Sequence, residues 1–156
     1  MRVHICALGR LRPGPELSLI NDYQTRFDRT GRALSLGPLT ITELDDRKGG
    51  GPPAEAALLT RACPQGAVTV AMDERGKTLS STQLARALEN WRDDGCQDLA
   101  FMIGGADGLT PELARGADMR LSFGPMVWPH MLARVMLTEQ LYRAASILAG
   151  APYHRA

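Results

Sequence analysis

A chain of 156 residues is long enough to bury a substantial core, and we expect a single domain over residues 1–156. Hydrophobic residues make up 44% of the chain and charged residues 22%, values that are typical of globular proteins and exclude a disordered chain. The net charge of +1 provides no overall field that would attract nucleic acid or a membrane, although it leaves room for a local basic patch.

The cysteines, histidines and apolar runs argue against several kinds of site. Cys6, Cys63 and Cys96 lie far apart without a CxxC pair, which is typical of reduced thiols in a cytoplasmic protein. The histidines are equally scattered and form no HExxH or Cys/His cluster, so we expect no metal site. The apolar runs are too short for a signal peptide or a membrane span, so we expect no membrane partner.

Predicted strands and helices alternate along the chain. In chain order they are a strand at Arg2–Leu8, a helix at Glu16–Arg29, a strand at Leu34–Leu44 interrupted at Gly37-Pro38, a charged and Gly/Pro-rich loop at Asp45–Pro53, a helix from Pro53 to Cys63, a strand at Ala67–Met72, a helix from Ser80 or Ser81 to Trp91, a strand at Leu99–Ile103, a short helix at Pro111–Arg115, a strand at Met119–Phe123 and a long helix at Pro129–Leu148. This alternation predicts an α/β fold with a mostly parallel sheet and helices on both faces.

The strand ends in the second half of the chain predict a ligand site. Parallel sheets bind ligands at the carboxyl ends of their strands, where Met72, the pair Gly104-Gly105 and the apolar loop Phe123–Trp128 are expected. Glycine has no Cβ and therefore lets a ligand approach the backbone closely. Each feature alone also fits an ordinary turn or buried loop, but together they favour a slot for a flat ligand.

One segment offers a competing interpretation. Ala71–Thr78 reads AMDERGKT and fits the loose spacing of a phosphate-binding P-loop after a strand. However, Asp73 and Glu74 would lie inside the loop and repel phosphate, and the next predicted helix starts after the Lys-Thr pair. A small P-loop nucleotide hydrolase therefore stays an alternative, and the segment is more consistent with a strand end.

Four segments taken together resemble one known family. They are VAMDERGK at Val70–Lys77, IGGADGL at Ile103–Leu109, LSFGPMVWPHMLARVMLTEQLYRA at Leu121–Ala144 and PYHR at Pro152–Arg155. In this order they resemble the SPOUT methyltransferases, and within them the ribosomal RNA large subunit methyltransferase H family. The likeness extends over essentially the whole chain. Small departures at Ala106, Asp107 and the terminal Ala156 leave the fine substrate geometry open.

The resemblance implies a fold and an activity. It implies a C-terminal trefoil knot, a homodimer and S-adenosylmethionine as the methyl donor. It also implies methylation of N3 of a pseudouridine in 23S ribosomal RNA, on assembled ribosomes in the cytoplasm. A catalytically silent RNA-binding factor with the same fold is a second alternative, because such a factor would bind ribosomes without transferring a methyl group.

The resemblance also suggests roles for individual residues. The implied cofactor-binding residues are Met72, Gly104, Gly105, Phe123, Gly124, Pro125, Met126, Val127 and Trp128. The candidates for assisting deprotonation of the weakly acidic N3 are His130, Glu139, Tyr153, His154 and Arg155. The tail Tyr153-His154-Arg155 is expected to complete the active site of the partner subunit, since it offers a ring for stacking, an imidazole and a planar cation.

Three charged residues of the long helix leave two interpretations open. Arg134 and Arg143 are candidates for contacts with RNA phosphate. Alternatively, Glu139 forms a structural ion pair with one of them, and only Arg143, four residues later, shares its helix face. The broad apolar surface of this helix favours a two-fold dimer over burial within one subunit.

Overall fold

In the computed structural model, which describes residues 1–155, five strands form a parallel sheet. The strands are β1 (Arg2–Leu8), β2 (Leu39–Leu44), β3 (Val68–Thr78), β4 (Asp98–Ile103) and β5 (Met119–Ser122). Their order across the sheet is β2-β1-β4-β3-β5, and every neighbouring pair is parallel. The helices are α1 (Pro15–Gly31), α2 (Gly51–Ala62), α3 (Ser81–Asp93), α4 (Pro111–Gly116) and α5 (His130–Leu148). The predicted parallel α/β fold is confirmed.

Helices cover both faces of the sheet, as the alternation of elements predicts. Side chains of a strand point alternately to the two faces, so β1 places Val3 and Ile5 on one side and Cys6 and Leu8 on the other. The first core lies under α1, α3 and α5, and the second lies under α2 and α4. The helical residues in the first core include Phe27, Leu84, Leu88, Leu137 and Leu141, and those in the second are Leu59 and Ala114.

Local signals fix several helix ends. Ser80 and Gln83 form a capping box at the start of α3, because each side chain bonds the backbone N–H of the other residue. The Thr110 hydroxyl accepts from the N–H of Leu113 and caps α4, whose first residue is a proline. These caps place the loops that precede both helices at the carboxyl edge of the sheet.

Two predicted strand boundaries are wrong. The chain before β2 forms a short 3-10 turn at Arg32–Leu34, followed by Ser35 with a positive φ of 56°, so the strand starts at Leu39 and not at Leu34. Strand β3 continues past Met72 to Thr78, with a register shift in its pairing to β5. The continuation is irregular, and its mixed charged sequence hides the pattern of a buried strand.

The extension of β3 removes the structural basis for a P-loop. Residues 73–78 form strand and not a glycine-rich loop, and Lys77 pairs with Leu121 of β5. A side chain at Gly76 would come within 2.6 Å of the Arg120 backbone, so this glycine permits close strand packing. Helix α3 begins only at Ser81, so no helix starts at the lysine.

The amino edge of the sheet is held by charged side chains. Asp98 at the start of β4 accepts hydrogen bonds from Arg2 Nε and Nη2 at 2.8 and 2.7 Å, and its carboxylate lies 2.8 Å from His4 Nε2. The hydrogen bonds from Arg2 are the main reason that the pKa of Asp98 falls to about 2. This network joins β1 to β4 at the edge opposite the predicted ligand site.

The last two elements take an indirect path. The chain leaves β4, crosses beyond β3 to form the edge strand β5, and then returns as α5 to pack against α1 and α3. This path agrees with the trefoil knot that the resemblance implies, and the knot itself stays a prediction. Among residues 1–155, no helix combines the length and apolarity needed to cross a membrane.

Candidate active site

A cavity of about 530 Å³ lies at the carboxyl edge of the sheet, where the predicted ligand slot was expected. Three segments line it: the end of β3 from Met72, the loop Gly104–Leu109 after β4, and the loop after β5 with the start of α5. All the predicted cofactor-binding residues except Pro125 are among its lining residues. The parallel strand order brings these distant segments together.

The two glycines after β4 have different roles. A side chain at Gly105 would meet only the Asp46 carboxylate, at 4.0 Å, so its place beside the cavity is open. A side chain at Gly104 would come within 2.5 Å of the Gly108 backbone, so this glycine allows the tight turn to close. Both glycines line the cavity, and their roles in binding a ligand stay predictions. Gly105 leaves room for a ligand, whereas Gly104 is also required by the turn.

The loop after β5 begins with a fixed turn. Ser122 at the end of β5 accepts from the N–H of Gly124 at 3.0 Å, and its hydroxyl lies 3.1 Å from the Glu74 carbonyl of β3. Gly124 has a φ of 105°, a conformation that favours glycine. The loop therefore leaves the sheet in a defined direction and forms one wall of the cavity with Phe123.

The second half of this loop carries large apolar side chains on the surface. Met126, Val127 and Trp128 are 69%, 83% and 41% exposed, so Trp128 does not simply pack in the core. Met131 and Leu132 in the first turn of α5 are also exposed. Contiguous apolar surface of this kind marks a binding or association surface.

His130 joins this wall to α5. It is the first residue of the helix and lines the cavity. Its Nδ1 atom is buried and, among the residues that the structure describes, has no hydrogen-bond partner. A buried polar nitrogen beside a cavity is a candidate ligand contact, because leaving it unpaired costs free energy.

The C-terminal tail lies against the middle of α5. The Tyr153 hydroxyl donates to Glu139 Oε1 at 2.9 Å, and Arg143 donates to the same oxygen through Nε and Nη2 at 3.0 and 2.5 Å. Arg143 Nη1 lies 3.4 Å from His154 Nδ1, and because arginine only donates, that nitrogen is the acceptor. Four of the predicted site residues therefore form one cluster, which we call the tail cluster: Glu139, Arg143, Tyr153 and His154.

Aromatic contacts and charge reinforce the tail cluster. The Arg143 guanidinium lies 4.7 Å from the centre of the Tyr153 ring, which is 4.5 Å from the ring of Tyr142. Burial, followed by the hydrogen bond to Glu139, raises the pKa of Tyr153, and the bonds from Arg143 to Glu139 raise the pKa of Arg143. Tyr153 is therefore a neutral hydrogen-bond donor at neutral pH, and Arg155 is exposed beyond it.

The cavity at the carboxyl edge of the sheet is the predicted cofactor site, and we call it the cofactor cavity. It lies apart from the tail cluster along α5. Nine residues separate His130 from Glu139, which corresponds to about 14 Å along the helix axis and about half a turn in direction. A second cavity of about 680 Å³, lined by Glu139 and Arg143, adjoins the first only around β5 and the start of its loop. The predicted catalytic residues are therefore not all brought together within one subunit.

The prediction that Arg134 contacts RNA is wrong for this structure. Arg134 is 1% exposed and is the largest fully buried side chain. Its guanidinium bonds Glu43 Oε2 at 2.9 Å and the carbonyl oxygens of Leu8 and Gly9, while its Nε atom has no partner within the described residues. Desolvation lowers its pKa, and the Glu43 charge opposes that effect.

Glu43 has a structural role near the site that the sequence analysis did not predict. It accepts from the N–H of Leu11 at 2.6 Å and from Arg134, so it joins the loop after β1 to the start of α5. Its position at the end of a predicted strand was the available signal, but nothing local identified a partner 91 residues away. Within residues 1–155, no three His, Cys, Asp or Glu side chains form a group that could hold a metal ion.

Comparisons with known proteins identify the family. A family model described as "Predicted SPOUT methyltransferase" matches residues 1–154. Relatives from Dinoroseobacter shibae and Ruegeria pomeroyi, both called ribosomal RNA large subunit methyltransferase H, are 67% and 65% identical over 155 residues, with 99% of each chain covered. This chain belongs to the SPOUT methyltransferases, in the ribosomal RNA large subunit methyltransferase H family. The P-loop interpretation is therefore wrong.

Solved structures support the SPOUT fold. The "Probable Methyltransferase from Bordetella pertussis Tohama I" has a TM-score of 0.53 at 14% identity, covering 92% of this chain and 96% of its own. A "probable methylase family protein" from Haemophilus influenzae Rd KW20 has a TM-score of 0.52 at 12% identity, covering 99% of this chain and 70% of its own. At these identities the likeness concerns the fold.

Proposed function

We propose that this SPOUT methyltransferase transfers a methyl group from S-adenosylmethionine to N3 of a pseudouridine in 23S ribosomal RNA, on assembled ribosomes in the cytoplasm. The observation that carries this proposal is the cavity at the strand ends, lined by Gly105 and the loop Phe123–Trp128, in a chain that is 67% identical to a ribosomal RNA large subunit methyltransferase H. A cavity of this kind is what a methyltransferase needs to hold its methyl donor, in agreement with the name of the relatives.

The residues of the cavity fit S-adenosylmethionine. Gly105 leaves open space where any other residue would place a side chain, and the buried Nδ1 of His130 offers a polar contact. Met72 and Phe123 would pack against the adenine and the sulfonium region. When bound, the cofactor supplies an electrophilic methyl group on a positively charged sulfur. The cavity itself contributes alignment and the exclusion of water.

The tail cluster suits the acceptor base. The N3 imide is a weak acid, so a base or a cation near its oxygens would assist transfer. Because Glu139 already accepts from Tyr153 and Arg143, it holds the tail in place and is poorly arranged to accept another proton. The half-buried His154 and the exposed Arg155 are the remaining groups of the tail that could act on the base.

A homodimer would bring the cofactor cavity of one subunit close to the tail cluster of the other. Within one subunit the tail cluster lies about 14 Å from the start of α5, and it points away from the cofactor cavity. The exposed Met126, Val127 and Trp128 provide apolar surface for a symmetric contact beside that cavity. We infer that the tail of one subunit completes the cavity of its partner.

The direct experiment incubates the protein with labelled S-adenosylmethionine and ribosomes that lack the modification, followed by mapping of the label. We expect one labelled nucleoside, identified by mass spectrometry as N3-methylpseudouridine. Binding of ribosomes without transfer of label would instead support the catalytically silent factor. Label on another base or another atom would keep the methyltransferase and reject the assigned target.

A further inference from the structure

Two neighbouring loops at the carboxyl edge of the sheet carry exposed positive charge, in addition to Arg75, Arg115 and Arg120, which line the cavity itself. Strands β1 and β2 are parallel, with Leu8 paired to Leu44, so the loops at 9–14 and 45–50 leave the sheet side by side. Each contributes two exposed cations, and we call this set the basic double loop: Arg10, Arg12, Arg47 and Lys48.

The basic double loop adjoins the cofactor cavity. A side chain at Gly105 would come within 4.0 Å of the Asp46 carboxylate, and so would a side chain at Gly9. Asp46 therefore lies between the loop after β1 and the glycine that lines the cavity. The loops that carry the four cations therefore lie beside the cavity, which an RNA must approach to present a base.

The charges of this region do not cancel. Four cations and the two carboxylates of Asp45 and Asp46 leave a charge of +2 on residues 9–14 and 45–50, more than the +1 of the whole chain. Asp45 accepts two hydrogen bonds from the Arg47 side chain at 2.9 and 2.8 Å, whereas Asp46 is itself exposed and lies close enough to Arg134 for its charge to stabilise that guanidinium. The Arg47 side chain is 79% exposed, so solvent screens its ion pair and the guanidinium can exchange to a phosphate.

Hydrogen bonds through Arg134 and Glu43 connect the start of the basic double loop to α5. Arg134 in α5 bonds the carbonyl oxygens of Leu8 and Gly9, and it also bonds Glu43 at the end of β2. Glu43 in turn accepts from the N–H of Leu11. The loop at 9–14 is therefore bonded directly to α5, and the loop at 45–50 starts two residues after Glu43, which the same arginine bonds. RNA bound at these loops would consequently lie at a defined distance from the cavity.

We propose that the basic double loop binds the phosphate backbone of the substrate RNA beside the cofactor cavity. The inference rests on the proposed function, and it provides phosphate contacts that the buried Arg134 cannot make. Arginine forms bidentate bonds with phosphate, and phosphate contacts position an RNA without reading its sequence. Residues 9–14 and 45–50 contain no aromatic side chain for stacking on bases, so the surface suits backbone and not base recognition.

The test removes the four charges together, as Arg10→Ala, Arg12→Ala, Arg47→Ala and Lys48→Ala. We expect the KM for ribosomes to rise about tenfold or more at moderate salt, with kcat, thermal stability and S-adenosylmethionine affinity unchanged. The dependence of log kcat/KM on log salt should become shallower by about 0.7 to 0.9 for each phosphate that the variant no longer neutralises. Sedimentation with ribosomes, without methyl transfer, gives a second readout of binding.

A matched control separates location from total charge. Arg32 and Arg61 are exposed and lie at the ends of α1 and α2, which return to the opposite edge of the sheet. Their double replacement by alanine should leave the KM and the salt slope near the wild-type values. An unchanged KM in the quadruple variant, or equal losses per charge in both variants, would overturn the proposal. If the wild type transfers no methyl group, the proposed function fails and sedimentation still decides whether this surface binds the ribosome.

Discussion

The start and the middle of α5 carry two parts of the proposed active site that are built in different ways. At the start of the helix, the cofactor cavity is made of strand ends, a glycine and an exposed apolar loop, so backbone shape provides most of it. At the middle of the helix, the tail cluster is made of charged and aromatic side chains that bond one another. The first arrangement suits holding a ligand and the second suits handling a proton. Binding of the cofactor and methyl transfer should therefore fail separately.

The largest expected effect comes from removing the tail. Deletion of Tyr153–Ala156 should lower methyl transfer to ribosomes by about 10²- to 10⁴-fold, the usual range for loss of acid–base and positioning groups. Affinity for S-adenosylmethionine should stay nearly unchanged, because the cavity does not include these residues. Single-turnover transfer and calorimetry measure the two quantities. His154→Ala and Arg155→Ala should each reproduce much of the loss in transfer.

The same deletion also tests whether the tail acts across subunits. Subunits without the tail retain an intact cavity, whereas Gly105→Val subunits retain an intact tail. If each tail serves the partner's cavity, a mixed dimer has one working site, which combines the intact cavity of one subunit with the intact tail of the other. Random pairing makes about half of the dimers mixed, so the mixture should regain about a quarter of the wild-type activity. A mixture that stays inactive while mixed dimers form would show that the tail serves its own cavity. If instead the truncated protein alone transferred methyl groups at the wild-type rate, the tail would be dispensable and the catalytic assignment would move to His130 or Glu139.

Gly105→Val should produce the next largest effect, and it should act on the cofactor cavity and not on the tail cluster. The protein leaves room for the added side chain, so the variant should fold with near wild-type thermal stability. Affinity for S-adenosylmethionine should fall about 10- to 100-fold, since overfilling a site costs about 1–3 kcal/mol. Unchanged affinity by calorimetry would reject this cavity as the cofactor site.

Gly104→Ala is the matched comparison for that variant. Its added methyl group would meet the Gly108 backbone at 2.5 Å, which the turn cannot accommodate without moving. We therefore expect a lower thermal stability for Gly104→Ala and a preserved thermal stability for Gly105→Val. Substitution of Gly104 should thus change the stability of the turn, and substitution of Gly105 should change the affinity for the ligand.

The contrast between the two regions also explains how far the sequence could be interpreted. Alternation of strands and helices was enough for the α/β sheet, and glycine at strand ends was enough to locate the cavity. In contrast, the burial of Arg134 depends on Glu43 and on the carbonyl oxygens of Leu8 and Gly9, which lie 91, 126 and 125 residues away. Local pattern cannot distinguish a buried arginine of this kind from a surface one, because both follow the same helical spacing.

The separation of the tail cluster from the cavity was similarly hidden. Glu139 and Arg143 are four residues apart, so their pairing on one helix face follows from spacing alone. Docking of Tyr153 onto Glu139 requires the chain to turn back after Gly150, which has a positive φ of 66°. The sequence suggests the turn, and only the fold shows where the tail then lies.

The smallest expected effect is at Lys77, which lies near neither region's reactive groups. In a P-loop this lysine would contact phosphate, and its loss would abolish turnover. Here it is an exposed residue of β3 that pairs through its backbone with Leu121, and it does not line the cofactor cavity. Replacement by alanine leaves that backbone pairing in place, so kcat/KM for ribosomes should stay within about twofold and stability within about 0.5 kcal/mol.

Steady-state methyl transfer and thermal unfolding provide the measurements, and Gly76→Val in the same strand is the control variant. That side chain would collide with the Arg120 backbone and should destabilise the pairing of β3 with β5. A loss of activity in Lys77→Ala with intact stability would show that the extended end of β3 takes part in catalysis. The proposed active site would then have a third part besides the cofactor cavity and the tail cluster.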